Sequence, residues 1–143
     1  MSASDQEKID TAREYFVRLD QGRPDILDLF HEDAEIYVPK FGFGQGHQSL
    51  VEMVKGFEGS MESIRHDYDR LVFLPSGDHL VVEGTSQGKM SGKSWEGGKT
   101  PGGRFCNVFT FRNGRISSLH IYLDPDYLGE DGPRFRWGKN RQW

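Results

Sequence analysis

The sequence predicts an α+β fold, three N-terminal helices packed on one side of a mainly antiparallel sheet, and three observations predict it. Helical periodicity is confined to the first part of the chain, strand-like runs fill the rest, and those runs are joined by tight hairpin turns instead of long crossovers. Ser4-Asp5-Gln6-Glu7 has the Ser-x-x-Glu form of a capping box, so a helix opens there. Ile9, Ala12, Phe16 and Leu19 follow as one apolar stripe with Tyr15 on its flank, and Gly22 supplies the left-handed residue that stops it. Pro24 suits the first turn of a second, short helix carrying Ile26, Leu27, Leu29 and Phe30, ending near His31. Ala34 to Val38 reads as a strand stopped by Pro39, and Phe41 to Gly46 as loop. Leu50, Met53, Val54 and Phe57 mark the buried face of a third helix before Gly59 and Ser60.

Beyond it, runs around 66–74 and 79–87 are joined by Pro75-Ser76-Gly77-Asp78, and runs around 104–112 and 115–124 by Asn113-Gly114. Residues 88–103 hold too much glycine for a strand interior and are expected as a loop or flexible hairpin tip, with Trp95 midway either as a lid over a ligand or as an exposed indole.

With 143 residues the chain makes one domain, expected over 1–128, followed by a basic-aromatic tail over 129–143. The formal net charge of −4 gives no positive field to gather phosphates, so nucleic acid is not an expected partner. The interleaving of Arg134, Arg136, Lys139 and Arg141 with Phe135, Trp137 and Trp143 could stack on single strands, but one short tail offers no groove, and docking on the same chain or a dimer partner is favoured. The N-terminal MSASDQEKID lacks a signal-peptide layout, no segment suits a membrane, and the single Cys106 cannot form an internal disulfide, so a cytoplasmic protein is expected. No His/Cys/Asp/Glu set has metal-ligand spacing and no glycine-rich loop has phosphate-cradle context, so neither metal nor cofactor is expected.

Two stretches, AREYFVRLDQGRPDILDLFHEDAEIYVP and FCNVFTFRNGRISSLHIYLDPDY, in this order and at this separation, resemble the SnoaL-like and nuclear-transport-factor-2-like superfamily of steroid delta-isomerases, scytalone dehydratases and polyketide cyclases. The resemblance implies a cone in which a curved sheet wraps the first helix around an apolar pocket for a small apolar or aromatic molecule, and a homodimer formed through the outer sheet face. Against the isomerase branch, Tyr15 matches the catalytic tyrosine and Asn107 the protonated aspartate, while Val38 stands where the general base belongs. Valine takes no proton, so that mechanism does not carry over. Against the dehydratase and dehydrochlorinase branch, Asp20 and His66 match a carboxylate-oriented histidine base, and the carboxylate would fix the imidazole tautomer. The epoxide-hydrolase branch is disfavoured because Ile121 replaces an inward aspartate; Glu83 is read as a strand-edge glutamate facing water.

The last hairpin sets which side chains face inward. A two-residue turn at Asn113-Gly114 places Asn107 opposite His120 on one face; a three-residue turn from Arg112 places it opposite Leu119 and turns His120 and Tyr122 away. The loop length resembles that of the epoxide-hydrolase branch, whose pocket-facing positions imply the second register, the favoured one, with Phe105, Asn107, Phe109, Leu119, Ile121 and Leu123 inside, and Val38, Phe57 and Trp95 completing the substrate wall. Two functions follow. One is a cofactor-independent enzyme acting on a polyketide- or steroid-like molecule by isomerisation, cyclisation or elimination, with Tyr15 and Asn107 stabilising an oxyanion and His66, oriented by Asp20, moving the proton. The other is a non-catalytic binding or dimerisation module, favoured by the missing base at Val38.

Overall fold

A computed structural model of the chain describes residues 3–123 and 128. Helix α1 (Asp5–Asp20) starts on the expected capping box: the Ser4 hydroxyl accepts from the Glu7 N–H at 3.2 Å and the Glu7 carboxylate accepts from the Ser4 N–H at 2.7 Å. Its buried face is broader than the stripe, because Tyr15 is as deeply buried as Ala12 and Phe16, and Lys8 is buried with its ammonium donating to the Gly77 carbonyl at 2.5 Å. A 3₁₀ helix (Pro24–Leu29) carries Ile26 into the core, β1 (Phe30–Val38) follows, and α2 (His47–Ser60) buries Leu50. The expected loop at 41–46 instead holds a short strand, β2 (Gly42–Gln45), antiparallel to β1, since alternate glycines permit pairing along that edge.

The remaining strands are β3 (Met61–His66), β4 (Val72–Ser76), β5 (His79–Met90), β6 (Lys93–Glu96), β7 (Arg104–Arg112) and β8 (Arg115–Leu123). The expected run at 66–74 is thus two strands separated by a 3₁₀ turn (Tyr68–Arg70). The sheet order is β2-β1-β8-β7-β5-β3, with β4 and β6 also on β5, and only the β1–β8 pair is parallel among those registered. Strand β5 changes partners along its length: residues 79–83 pair with β4 and 79–85 with β7, whereas 86–90 pair with β3 and 87–90 with β6. A strand shared in this way coils strongly, and it curls the sheet around α1.

The glycine-rich stretch 88–103 is ordered where a flexible loop was expected. Ser91 (φ 50°) and Gly92 (φ 76°) make a tight turn joining β5 to β6. Trp95, expected as a lid or an exposed indole, is a strand residue only 2% exposed, directly opposite Gly88. Its ring occupies the space a side chain at Gly88 would need, because a Cβ there would lie 2.3 Å from the indole and 2.2 Å from the Ser63 carbonyl. Glycine is therefore what lets the strand run through, and its missing side chain is replaced by the cross-strand ring.

The final hairpin takes neither expected register: it has the two-residue turn of the first and the inward face of the second. The turn has two residues, Asn113 (φ 51°) and Gly114 (φ 79°), with Arg112 opposite Arg115. A bulge then follows between the Phe111–Ile116 and Thr110–Ser118 pairs, and the Ser117 hydroxyl donates to the Thr110 carbonyl at 3.1 Å. Asn107 consequently faces Ile121, not His120 or Leu119, and the inward set is the favoured one. His120 points outward, its Nε2 2.8 Å from Glu35 Oε1. The tail expected at 129–143 lies outside the described residues.

Urea unfolding of two glycine variants tests this account. Gly88→Ala should lower stability by about 1–3 kcal/mol, since Trp95 and Ser63 must give way. Gly56→Ala, on α2 with open space at its Cβ, should raise it by about 0.5–1 kcal/mol.

Candidate active site

Asp20 is the last residue of α1, where Gln21 and Gly22 (φ 62°) turn the chain, and His66 is the last residue of β3. A carboxylate at a helix C-terminus meets the negative end of the dipole, and this one is only 6% exposed, so it requires compensating donors. It has them. Asp20 Oδ1 lies 2.6 Å from His66 Nδ1, while Oδ2 accepts from the His66 backbone N–H at 2.8 Å and from the Tyr68 hydroxyl at 2.6 Å. Burial and donation to Asp20 push the Tyr68 phenol up, which keeps its proton available to the carboxylate.

The bond to Asp20 assigns the Nδ1–H tautomer to a neutral His66, leaving the Nε2 lone pair as proton acceptor. The ring is held between Phe16, 4.8 Å away between centroids, and Phe105, 5.1 Å away and nearly perpendicular. It lines a cavity of about 400 Å³ together with Tyr15, Asp20, Asn107 and Arg104. All four residues expected to carry chemistry therefore share one space.

Asn107 is 3% exposed, and its Oδ1 is buried without a hydrogen-bond partner. Its inward position on β7 follows from the alternation that places Phe105 and Phe109 on the same face. Tyr15 lines the cavity with its ring edge-on to Phe16 at 5.0 Å and Phe109 at 5.4 Å. Cys106, out of phase with Asn107, lies opposite Glu83; burial, and then that carboxylate, push its thiol up, as suits a packed side chain outside the site.

Of the expected apolar wall, Phe57, Phe105, Ile121 and Leu123 line this cavity. Val38 instead lines a second cavity of about 500 Å³ between β1, β2 and α2, which Phe57 and Leu123 also border. Three more expected wall residues line neither cavity. Phe109 and Leu119 are fully buried core residues lining neither cavity, because α1 packs Tyr15 and Phe16 onto that part of the sheet. Trp95 lines neither cavity because it fills the gap over Gly88, its Nε1 donating to Ser86 Oγ at 3.2 Å.

Sequence reasoning missed Tyr68 and Arg104. The available signal for Tyr68 was its place two residues after the candidate base, where a turn returns the chain toward Asp20. Among the described residues no group of three or more His, Cys, Asp or Glu could hold a metal ion, and no helix is long and apolar enough to cross a membrane.

The SnoaL-like domain family model matches residues 12–119. An NTF2-like protein of unknown function from Burkholderia pseudomallei K96243 is 20% identical, with a TM-score of 0.73 over 86% of this chain and 95% of that one. A candidate polyketide cyclase from Xanthomonas campestris pv. campestris is 15% identical, with a TM-score of 0.72 over 85% of this chain and 93% of that one. TerC, co-crystallised with polyporic acid, is 19% identical, with a TM-score of 0.68 over 87% and 96%. Curated proteins gave no match. The solved structures share the fold, and the family match spans Tyr15, Asp20, His66 and Asn107: the chain belongs to the SnoaL-like family.

Proposed function

We propose that this protein is a cofactor-independent enzyme that moves a proton on a small apolar or aromatic carbonyl compound. The observation that carries the reading is the buried Asp20–His66 pair on the same cavity wall as the buried Asn107 amide, whose oxygen has no hydrogen-bond partner. His66 Nε2 takes a proton from the carbon next to a substrate carbonyl, and the C–H electron pair moves into the enolate. Asp20 stabilises the imidazolium, while the Asn107 amide and the Tyr15 hydroxyl donate to the enolate oxygen. The imidazolium then returns its proton to another carbon, giving isomerisation, or to a departing hydroxyl, giving elimination. The names of two similar structures, a candidate polyketide cyclase and a protein co-crystallised with polyporic acid, support a substrate of that kind. A base at His66 also removes the need for one at Val38.

We further propose a homodimer through the outer sheet face. Tyr37 lies 4.9 Å from Phe43 and 5.6 Å from Tyr122 between ring centroids, beside the His120–Glu35 pair, and Phe43 is 68% exposed. Contiguous exposed apolar surface of this kind favours association. Sedimentation equilibrium should give a dimer for the wild type and a monomer for Tyr122→Arg; a wild-type monomer at high micromolar concentration rejects the pairing.

Proton abstraction can be read without the natural substrate, as solvent deuterium exchange into 2-tetralone followed by NMR. The wild type should accelerate exchange over buffer, and His66→Ala should remove about 10²–10⁴-fold of that acceleration. Undiminished exchange in His66→Ala rules out the base assignment. Binding of 2-tetralone with no exchange by any form favours the non-catalytic module.

Tyr68→Phe removes one donor from the Asp20 carboxylate and should reduce the same exchange by less than His66→Ala does. In the NMR spectrum the histidine side-chain shifts should move with that substitution while the fold stays intact. Unchanged shifts and rate mean that Tyr68 has no hold on the pair.

A further inference from the structure

The two cavities are neighbours. Phe57, Met61 and Leu123 border both of them. Methionine, unbranched and with several rotatable bonds, is the side chain best able to swing out of such a shared border. The compartments also differ in chemistry. Both are lined mainly by apolar groups, but the first holds Tyr15, Asp20, His66 and Asn107, whereas the polar side chains of the second are Lys40, Ser49, Glu52 and Ser60 beside Ile36, Val38, Met53 and Met90. Phe41, 84% exposed, lines the second compartment from the β1–β2 turn.

We propose that the substrate is a two-part molecule, a carbonyl-bearing ring seated against His66 and Asn107 with an apolar extension that passes Phe57, Met61 and Leu123 into the second compartment. This rests on the proton-transfer reading for the ring's orientation, and adds to it the substrate's length and the apolar nature of its far end. Volumes of about 400 and 500 Å³ each suit a small organic group, and together they lie in the range of sites for drug-sized ligands. The apolar extension gains affinity from burial, and its position relative to the ring holds the carbonyl against the donors.

A homologous series of 6-alkanoyl-2-dimethylaminonaphthalenes with propanoyl, hexanoyl and decanoyl chains tests this by the blue shift of their fluorescence on binding. In the wild type, Kd should fall with chain length, by up to about fourfold per methylene that becomes buried. Gly56→Leu places a side chain on α2 at the second compartment, where the Cβ itself meets nothing within 4 Å. That variant should flatten the chain-length dependence while leaving propanoyl binding within about twofold; Ser60→Leu, at another point of the same lining, should act likewise. A Kd independent of chain length in the wild type, or a dependence that survives both variants, overturns the two-compartment proposal. The 2-tetralone exchange reads the other reading separately. Exchange with a flat series leaves proton transfer standing and removes the second compartment, whereas a steep, plug-sensitive series without exchange retains the two-compartment ligand and removes the chemistry.

Discussion

The Asp20 carboxylate is the point on which the site depends. It closes α1, it is almost fully removed from solvent, and it sits at the helix end whose dipole opposes it. An ion so placed persists because His66 contributes both its backbone N–H and its ring, and Tyr68 its hydroxyl. Those contacts also join three segments of the chain: the end of α1, the end of β3 and the 3₁₀ turn that follows. Removing a partner from a buried charge usually costs more than the pair contributes, since the remaining group keeps its desolvation penalty. The same bonds that make the anion tolerable therefore fix the imidazole, so orientation of the base and integrity of the helix–sheet junction are one constraint.

The sheet brings the base and the amide together by coiling. His66 pairs with Ser86 of β5, and Asn107 pairs with Val82 of the same strand from the other side. Four residues along a strand and two strand spacings across amount to about 16 Å in a flat sheet. That is too far for groups acting on one small molecule. Strand β5 gives up β4 and β7 as partners and takes β3 and β6 within this interval, and the coiling turns both side chains onto a common cavity. Gly84 and Gly88 lie on the same strand, and a Cβ at Gly84 would come within 2.9 Å of the Phe105 ring. Phe105 in turn packs against His66. Small residues on β5 thus let the aromatic support of the base approach closely.

Much of this was legible from the residues. The capping box, the Gly22 stop, the α2 face and both Asx-Gly or Ser-Gly-Asp turns follow local rules that tertiary structure did not override. The inward face of β7 and β8 was also readable, but the register was not, because turn type and burial parity seemed to conflict. Ile116, Leu119 and Ile121 are spaced by three and then by two residues, and only a bulge at Ser117 reconciles that spacing with a two-residue turn. The stretch at 88–103 was misread for a different reason. Glycine weakens a strand in isolation, and what rescues Gly88 is a tryptophan on the next strand, a cross-strand contact that composition does not reveal. For Phe109 and Leu119, strand parity gave the face correctly but could not say how far α1 fills the cone.

Asn107 shows where folding and chemistry separate. Phe105, Phe109 and Ile121 surround its position on the inner face, and a branched aliphatic side chain would satisfy the alternation. An amide there leaves a buried oxygen without a partner, a penalty on the order of 1–3 kcal/mol. Native structures seldom carry such an acceptor without compensation, so a ligand hydroxyl or N–H that donates to the Asn107 oxygen recovers a loss already incurred on folding, while Nδ2 is the atom that donates to a carbonyl or enolate oxygen. A carboxylic acid in this position would have to be kept neutral by its surroundings before it could donate. An amide donates without that requirement, its charge the same in every pH range where the fold stands. The burden of proton transfer then falls on the one side chain whose orientation is fixed by a buried carboxylate, and the division of labour between β3 and β7 follows.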